Sequence, residues 1–167
     1  AETRKGVRLA ASSCDITPGQ ISGATSNLDR RPVISEERKK TSTSAASIRF
    51  SVIGLNHGHI YGQVEAVTRG GGQLVAFYGK EPELVDAFTK RYPQAKLARS
   101  EKEILEDNSI QLIVSASIPV DRAPLGVQVM RHGKDFLVDK PGIVTLEQLE
   151  EVRKVQKETK RIYSIMY

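Results

Sequence analysis

Residues 48–62 read IRFSVIGLNHGHIYG. An apolar run, SVIG, ends in a glycine-spaced turn and then passes into sequence compatible with a helix. That order suits a turn that takes up a pyrophosphate. A buried strand delivers the backbone, glycines let it turn tightly, and the next helix directs its N-terminal N–H groups at the anion. Gly54 holds the position of the first glycine of such a fingerprint. Asn56 stands at the second and His59 at the third, so the match is partial.

Working outward, strand-like and helix-like segments alternate. Ile48–Ile53 reads as a strand, and Gly58–Thr68 as a helix stopped by Gly70-Gly71-Gly72. Gln73–Tyr78 is a second strand, and Pro82–Tyr92 a helix with proline in its first turn, where a missing N–H does no harm. Lys96–Ala98 is a weak third strand, and Ser100 and Glu103 have capping-box spacing for a short helix through Glu106. Gln111–Ser115 is an apolar run of the kind covered on both faces. Ala123–His132 follows as a helix, Asp135–Asp139 as the fifth strand, and Thr145–Lys160 as an amphipathic helix with the stripe Leu146, Leu149, Val152 and Val155. Ile162–Tyr167 is the sixth strand. The expected fold is α/β: a doubly wound, mostly parallel, Rossmann-like sheet of about six strands spanning residues 48–167.

Residues 1–47 read differently, as a largely disordered tail and linker rich in Ser, Thr, Arg and Lys. They carry eight Lys/Arg against five Asp/Glu, whereas residues 48–167 carry 17 against 15. The basic excess of this +5 chain therefore sits mainly in the tail, which argues against a nucleic-acid-binding face on the folded part. Arg30-Arg31 is followed by no apolar stretch of export-signal length, and no run of about 18 apolar residues offers a membrane span. A cytoplasmic location without membrane or nucleic-acid partners is the expectation. The single cysteine, Cys14, excludes an intrachain disulfide.

Three places could carry chemistry. In the first turn, Gly54 and Gly58 suit close approach of the backbone to phosphate, and Asn56 could donate to it. His57 and His59 stand two apart, a spacing that chelates metal on a strand. In a turn with no further Cys or His nearby, they read instead as a polar lining of the cofactor groove, and no metal is assigned. At the end of the second strand, where a carboxylate commonly accepts from the ribose hydroxyls, the chain has Gly79-Lys80, with Glu81 one or two positions late. Lys80 tilts the choice between NAD and NADP slightly toward NADP by its charge. At the end of the fifth strand, Asp139-Lys140-Pro141 places a lysine where ligands of open α/β sheets sit, able to bind a substrate hydroxyl or assist its proton transfer.

Taken together, these segments resemble the N-terminal domain of the Gfo/Idh/MocA (glucose–fructose oxidoreductase/inositol dehydrogenase) family. The glycine turn matches Gly54–His59, and a D-P-E-like segment matches Gly79–Glu83. An A-T-P-N segment falls on Ala116-Ser117-Ile118-Pro119, and the G-K-H-V-x-x-E-K-P element on Gly133–Pro141. The resemblance implies an NAD- or NADP-binding Rossmann domain and hydride transfer at a hydroxyl-bearing carbon of a sugar or polyol. Lys140 would be catalytic. Gly54, Asn56, His57, Gly58, His59, Lys80, Ser117, Pro119 and Asp139 would lie at the cofactor. Asn56, His59, Gly79 and Pro119 depart from residues common in the family, and Arg122 replaces a histidine.

The family also carries a second α/β domain, with further substrate contacts and usually the oligomer interface. The chain ends at Tyr167, where that domain would begin, so a truncated oxidoreductase is expected, homo-oligomeric in its full-length form. The alternative is a non-catalytic nucleotide-binding or regulatory module.

Overall fold

A computed structural model describes residues 47–167; residues 1–46, with Cys14 and nearly all of the expected tail, lie outside the described residues. Eleven elements follow in strict alternation: β1 (Arg49–Ile53), α1 (His59–Arg69), β2 (Gln73–Tyr78), α2 (Pro82–Arg91), β3 (Lys96–Leu97), α3 (Glu101–Glu106), β4 (Leu112–Ser115), α4 (Pro119–Arg131), β5 (Asp135–Asp139), α5 (Leu146–Thr159) and β6 (Tyr163–Met166). The strands form one sheet in the order β3-β2-β1-β4-β5-β6. Every pairing is parallel.

Both faces of the sheet are covered. Phe50 and Val52 of β1 are fully buried in one apolar layer with Ile60 and Val64 of α1 and Phe88 of α2. Ile53 enters the opposite layer with Ile104 of α3, Ile113 of β4, Val129 of α4 and Phe136 of β5. This is the period-2 alternation of a strand buried on both sides, which is why β1 and β4 read as unbroken apolar runs.

Two sequence expectations shift. The fourth helix begins at Pro119, not Ala123, and so carries Pro124 in its interior. A proline at 124 also suits the first turn of a helix starting at 123, and this is what misleads the sequence reading. Inside α4, Pro124 has no N–H to give to the Val120 carbonyl. The Gln148 side chain of α5 donates to that carbonyl instead, at 3.1 Å. The buried stripe of α5 is also narrower than its sequence suggests. Val152 and Val155 are buried against α4, whereas Leu146 is 74% exposed. The capping expectation holds, since Ser100 Oγ accepts from Glu103 N–H; at the start of α5, Thr145 Oγ1 accepts from Gln148 N–H in the same way.

Candidate functional site

The strand order reverses between β1 and β4, and the loops after these strands face each other across that point. The Gly54 N–H donates to the Tyr78 carbonyl at the end of β2, at 3.0 Å. Ala116 N–H donates to the Gly54 carbonyl at 3.2 Å, and His57 N–H to the Ala116 carbonyl at 3.1 Å. The glycine turn is thus stitched to both neighbouring strand ends.

Gly54 and Gly58 play different parts. Gly54 has φ +86°, and a Cβ there would lie 2.6 Å from the Ser117 Cβ. The close approach at Gly54 is to the chain itself. Gly58 caps α1 with no side-chain partner. A Cβ at Gly58 would meet nothing within 4 Å, so the helix N-terminus is open on that side.

Next to the turn, a groove of about 130 Å³ is lined by Gly54, Asn56, Gly79, Lys80, Glu81 and Glu101, among others. Asn56 Nδ2 donates to Glu81 Oε1 at 2.7 Å, fixing that carboxylate between the ends of β1 and β2. Lys80 is drawn aside, its Nζ 3.6 Å from Glu101 Oε1, an exposed pair worth little by itself.

On the other side of the turn the side chains gather around Asp139, the last residue of β5. His59 Nδ1 lies 2.9 Å from Asp139 Oδ1, and His57 Nδ1 lies 3.3 Å from Oδ2. Arg122 of α4, 2% exposed, donates from Nη2 to Asp139 Oδ2 at 3.2 Å. Its other nitrogens donate to the carbonyls of Ser117, Asp139, Lys140 and Pro141. Burial opposes ionisation of Asp139, but the His59 hydrogen bond and the Arg122 charge outweigh it and hold the carboxyl below its ordinary range.

The sequence candidates are therefore largely assembled at one edge of the sheet. Ser117 is buried beneath Gly54, and Pro119 is exposed at the start of α4. Lys140 is exposed beyond β5, its peptide to Pro141 cis and its carbonyl held by Arg122 at 2.5 Å. Two participants were not expected from the sequence: Glu101, and Arg122 as the ion-pair partner of Asp139. Arg122 carried a signal, a residue replacing a histidine, but nothing in the sequence showed that it is buried.

A turn at the point of strand reversal and an open helix N-terminus are parts of a dinucleotide site. A family model described as an oxidoreductase family with the NAD-binding Rossmann fold matches residues 48–167. The chain belongs to the Gfo/Idh/MocA oxidoreductase family.

Similar structures agree. One from Erwinia carotovora atroseptica, assigned as an oxidoreductase, is 37% identical with a TM-score of 0.70, over 71% of this chain and 36% of that one. A biliverdin reductase of Synechocystis in complex with biliverdin and NADP+ is 18% identical with a TM-score of 0.62, over 71% of this chain and 37% of that one. The WlbA dehydrogenase of Chromobacterium violaceum, in complex with NADH and UDP-GlcNAcA, is 15% identical with a TM-score of 0.64, over 72% of this chain and 35% of that one. The last two likenesses show the fold alone. The Gfo/Idh/MocA domain described here spans about a third of the length of these solved structures. Among curated proteins none matches the sequence. No helix among the described residues is long and apolar enough to cross a membrane.

The residues fit the family's NAD(P) cofactor. The main chain around Gly58 is open at the N-terminus of α1, a place that suits a pyrophosphate, and Glu81, positioned by Asn56, lines the groove beside the turn.

Proposed function

We propose that this chain is the cofactor-binding part of an NAD-dependent oxidoreductase acting on a sugar- or polyol-like alcohol. The observation that carries the reading is the Asn56–Glu81 hydrogen bond of 2.7 Å at the mouth of the groove. It supplies the ribose-accepting carboxylate that the sequence places late. The N-terminus of α1 faces the pyrophosphate, Glu81 accepts from the ribose hydroxyls, and Ser117 and Pro119 lie on the nicotinamide side. Lys140 orients the substrate hydroxyl and takes part in moving its proton. The bound nicotinamide supplies the hydride-accepting carbon.

The slight sequence lean toward NADP reverses in this reading. Lys80 is paired with Glu101, and the groove also holds Glu81 and Asp121. One cation against three carboxylates disfavours a 2′-phosphate.

Calorimetric titration of the chain with NADH and NADPH tests this. Binding of NADH with weaker binding of NADPH is expected, and no binding of either at millimolar concentration would overturn it.

A further inference from the structure

The turn divides its labour: its main chain borders the groove, while its two imidazoles point to Asp139. The rings of His57 and His59 meet edge to face, centroids 4.2 Å apart at 76°. Their nitrogens and an Asp139 carboxylate oxygen all lie within 4.8 Å of one another. Two nitrogens and one carboxylate oxygen, contributed by segments 80 residues apart, thus converge on one point.

A second observation concerns the space alongside. A cavity of about 380 Å³ is lined by Gly58, His59, Gly62, Gln63, Asp139 and Met166 together with the C-terminal Tyr167. Gln63 is 2% exposed, yet neither its amide nitrogen nor its amide oxygen has a hydrogen-bond partner. A buried amide left so is costly unless a ligand or water meets it. Gln63 lines the same cavity as His59 and Asp139, which sets a buried, unpartnered amide against the space beside them.

We propose that His57, His59 and Asp139 bind a divalent first-row transition-metal ion, leaving coordination positions open toward the cavity beside Gln63. Two imidazole nitrogens and a carboxylate suit Zn²⁺, Fe²⁺, Mn²⁺ or Co²⁺, whereas Mg²⁺ and Ca²⁺ prefer oxygen donors throughout. Three protein ligands are the number that leaves a site open to a small molecule. Arg122 acts as the outer partner that orients a ligating carboxylate, its Nη2 on Asp139 Oδ2. Arg122 and Asp139 cancel in charge, so the ion keeps its positive charge and favours an anionic oxygen as its further ligand. This site goes beyond the cofactor reading and does not depend on it.

The test uses the full chain, freed of metal by a chelator and titrated with Co²⁺ and then Zn²⁺. One Co²⁺ per chain is expected, with the visible bands of a low-coordinate ion, displaced by Zn²⁺ but not by excess Mg²⁺. His57→Ala and His59→Ala alter exposed side chains, so the fold should survive, as circular dichroism will check. Each should weaken binding by at least the ~10–100-fold that loss of a supporting partner costs. His132→Ala and Cys14→Ser should leave it unchanged. Retention of the aqueous Co²⁺ spectrum, or binding that survives both His57→Ala and His59→Ala, would overturn the site and leave a plain histidine–carboxylate hydrogen-bond cluster. NADH titration of the chelated protein reads the cofactor proposal separately.

Discussion

Arg122 and Asp139 form a buried ion pair, Nη2 to Oδ2 at 3.2 Å, with each side chain only 3% exposed. The pair joins α4 to the end of β5. The same guanidinium also holds the main-chain carbonyls of residues 117, 139, 140 and 141. Arg122→Met would leave a buried carboxylate without its counter-charge and those carbonyls without a donor. A loss of about 3–5 kcal/mol in urea unfolding is expected. A loss below about 1 kcal/mol would mean that water replaces the guanidinium.

Asp139 should also shape the acid limb of stability. Its folded carboxyl titrates below its unfolded value of about 3.9. Its stabilising contribution is therefore complete above the unfolded value and is lost as pH falls through the folded one. Unfolding free energy measured from pH 6 downward should drop below about pH 4. Asp139→Asn should flatten that part of the profile.

The two glycines of the turn should separate stability from binding. Gly54→Ala forces a Cβ to within 2.6 Å of Ser117 Cβ at φ +86° and should cost about 2 kcal/mol or more. Gly58→Ala meets nothing within 4 Å, so stability should change by under about 1 kcal/mol. NADH affinity should nevertheless fall, because the new methyl group lies on the open side of the α1 N-terminus. Thermal unfolding paired with NADH titration checks both.

Cofactor preference should follow Glu81. Glu81→Ala removes the carboxylate held by Asn56 and should weaken NADH binding roughly tenfold or more, the scale of a hydrogen bond to a charged group. NADPH binding should be unchanged or improved. Equal losses for both cofactors would place the ribose elsewhere.

Lys134, within the Gly133–Pro141 segment, is a structural lysine. It is 2% exposed, and its Nζ donates to the carbonyls of Asp107 at 2.7 Å and Ile110 at 3.1 Å. Burial lowers its pKa, with the Asp107 charge opposing. Lys134→Ala should destabilise by about 2–4 kcal/mol in urea unfolding, through unpaired carbonyls and lost packing.

The sheet was legible because parallel strands buried on both faces leave apolar runs, and glycine or capping residues punctuate the helices between them. Gln111–Ser115 and Asp135–Asp139 are cases in point. The helix start at Pro119 was not legible, because a proline at 124 fits a first turn as well as an interior whose orphaned carbonyl finds another donor. At the site, the sequence marked Gly54–His59 and Asp139–Lys140 and suggested that they belong together.

Local pattern alone thus determined the strand–helix order, the glycine turn and the strand-end lysine, since each depends on neighbours a few residues away. Tertiary structure alone decided that Asn56 reaches Glu81, that Lys80 turns to Glu101, and that His57, His59 and Arg122 share one carboxylate. Those contacts join residues 17 to 82 positions apart. No periodicity or spacing encodes them; they exist only because parallel crossovers bring strand ends to one edge of the sheet.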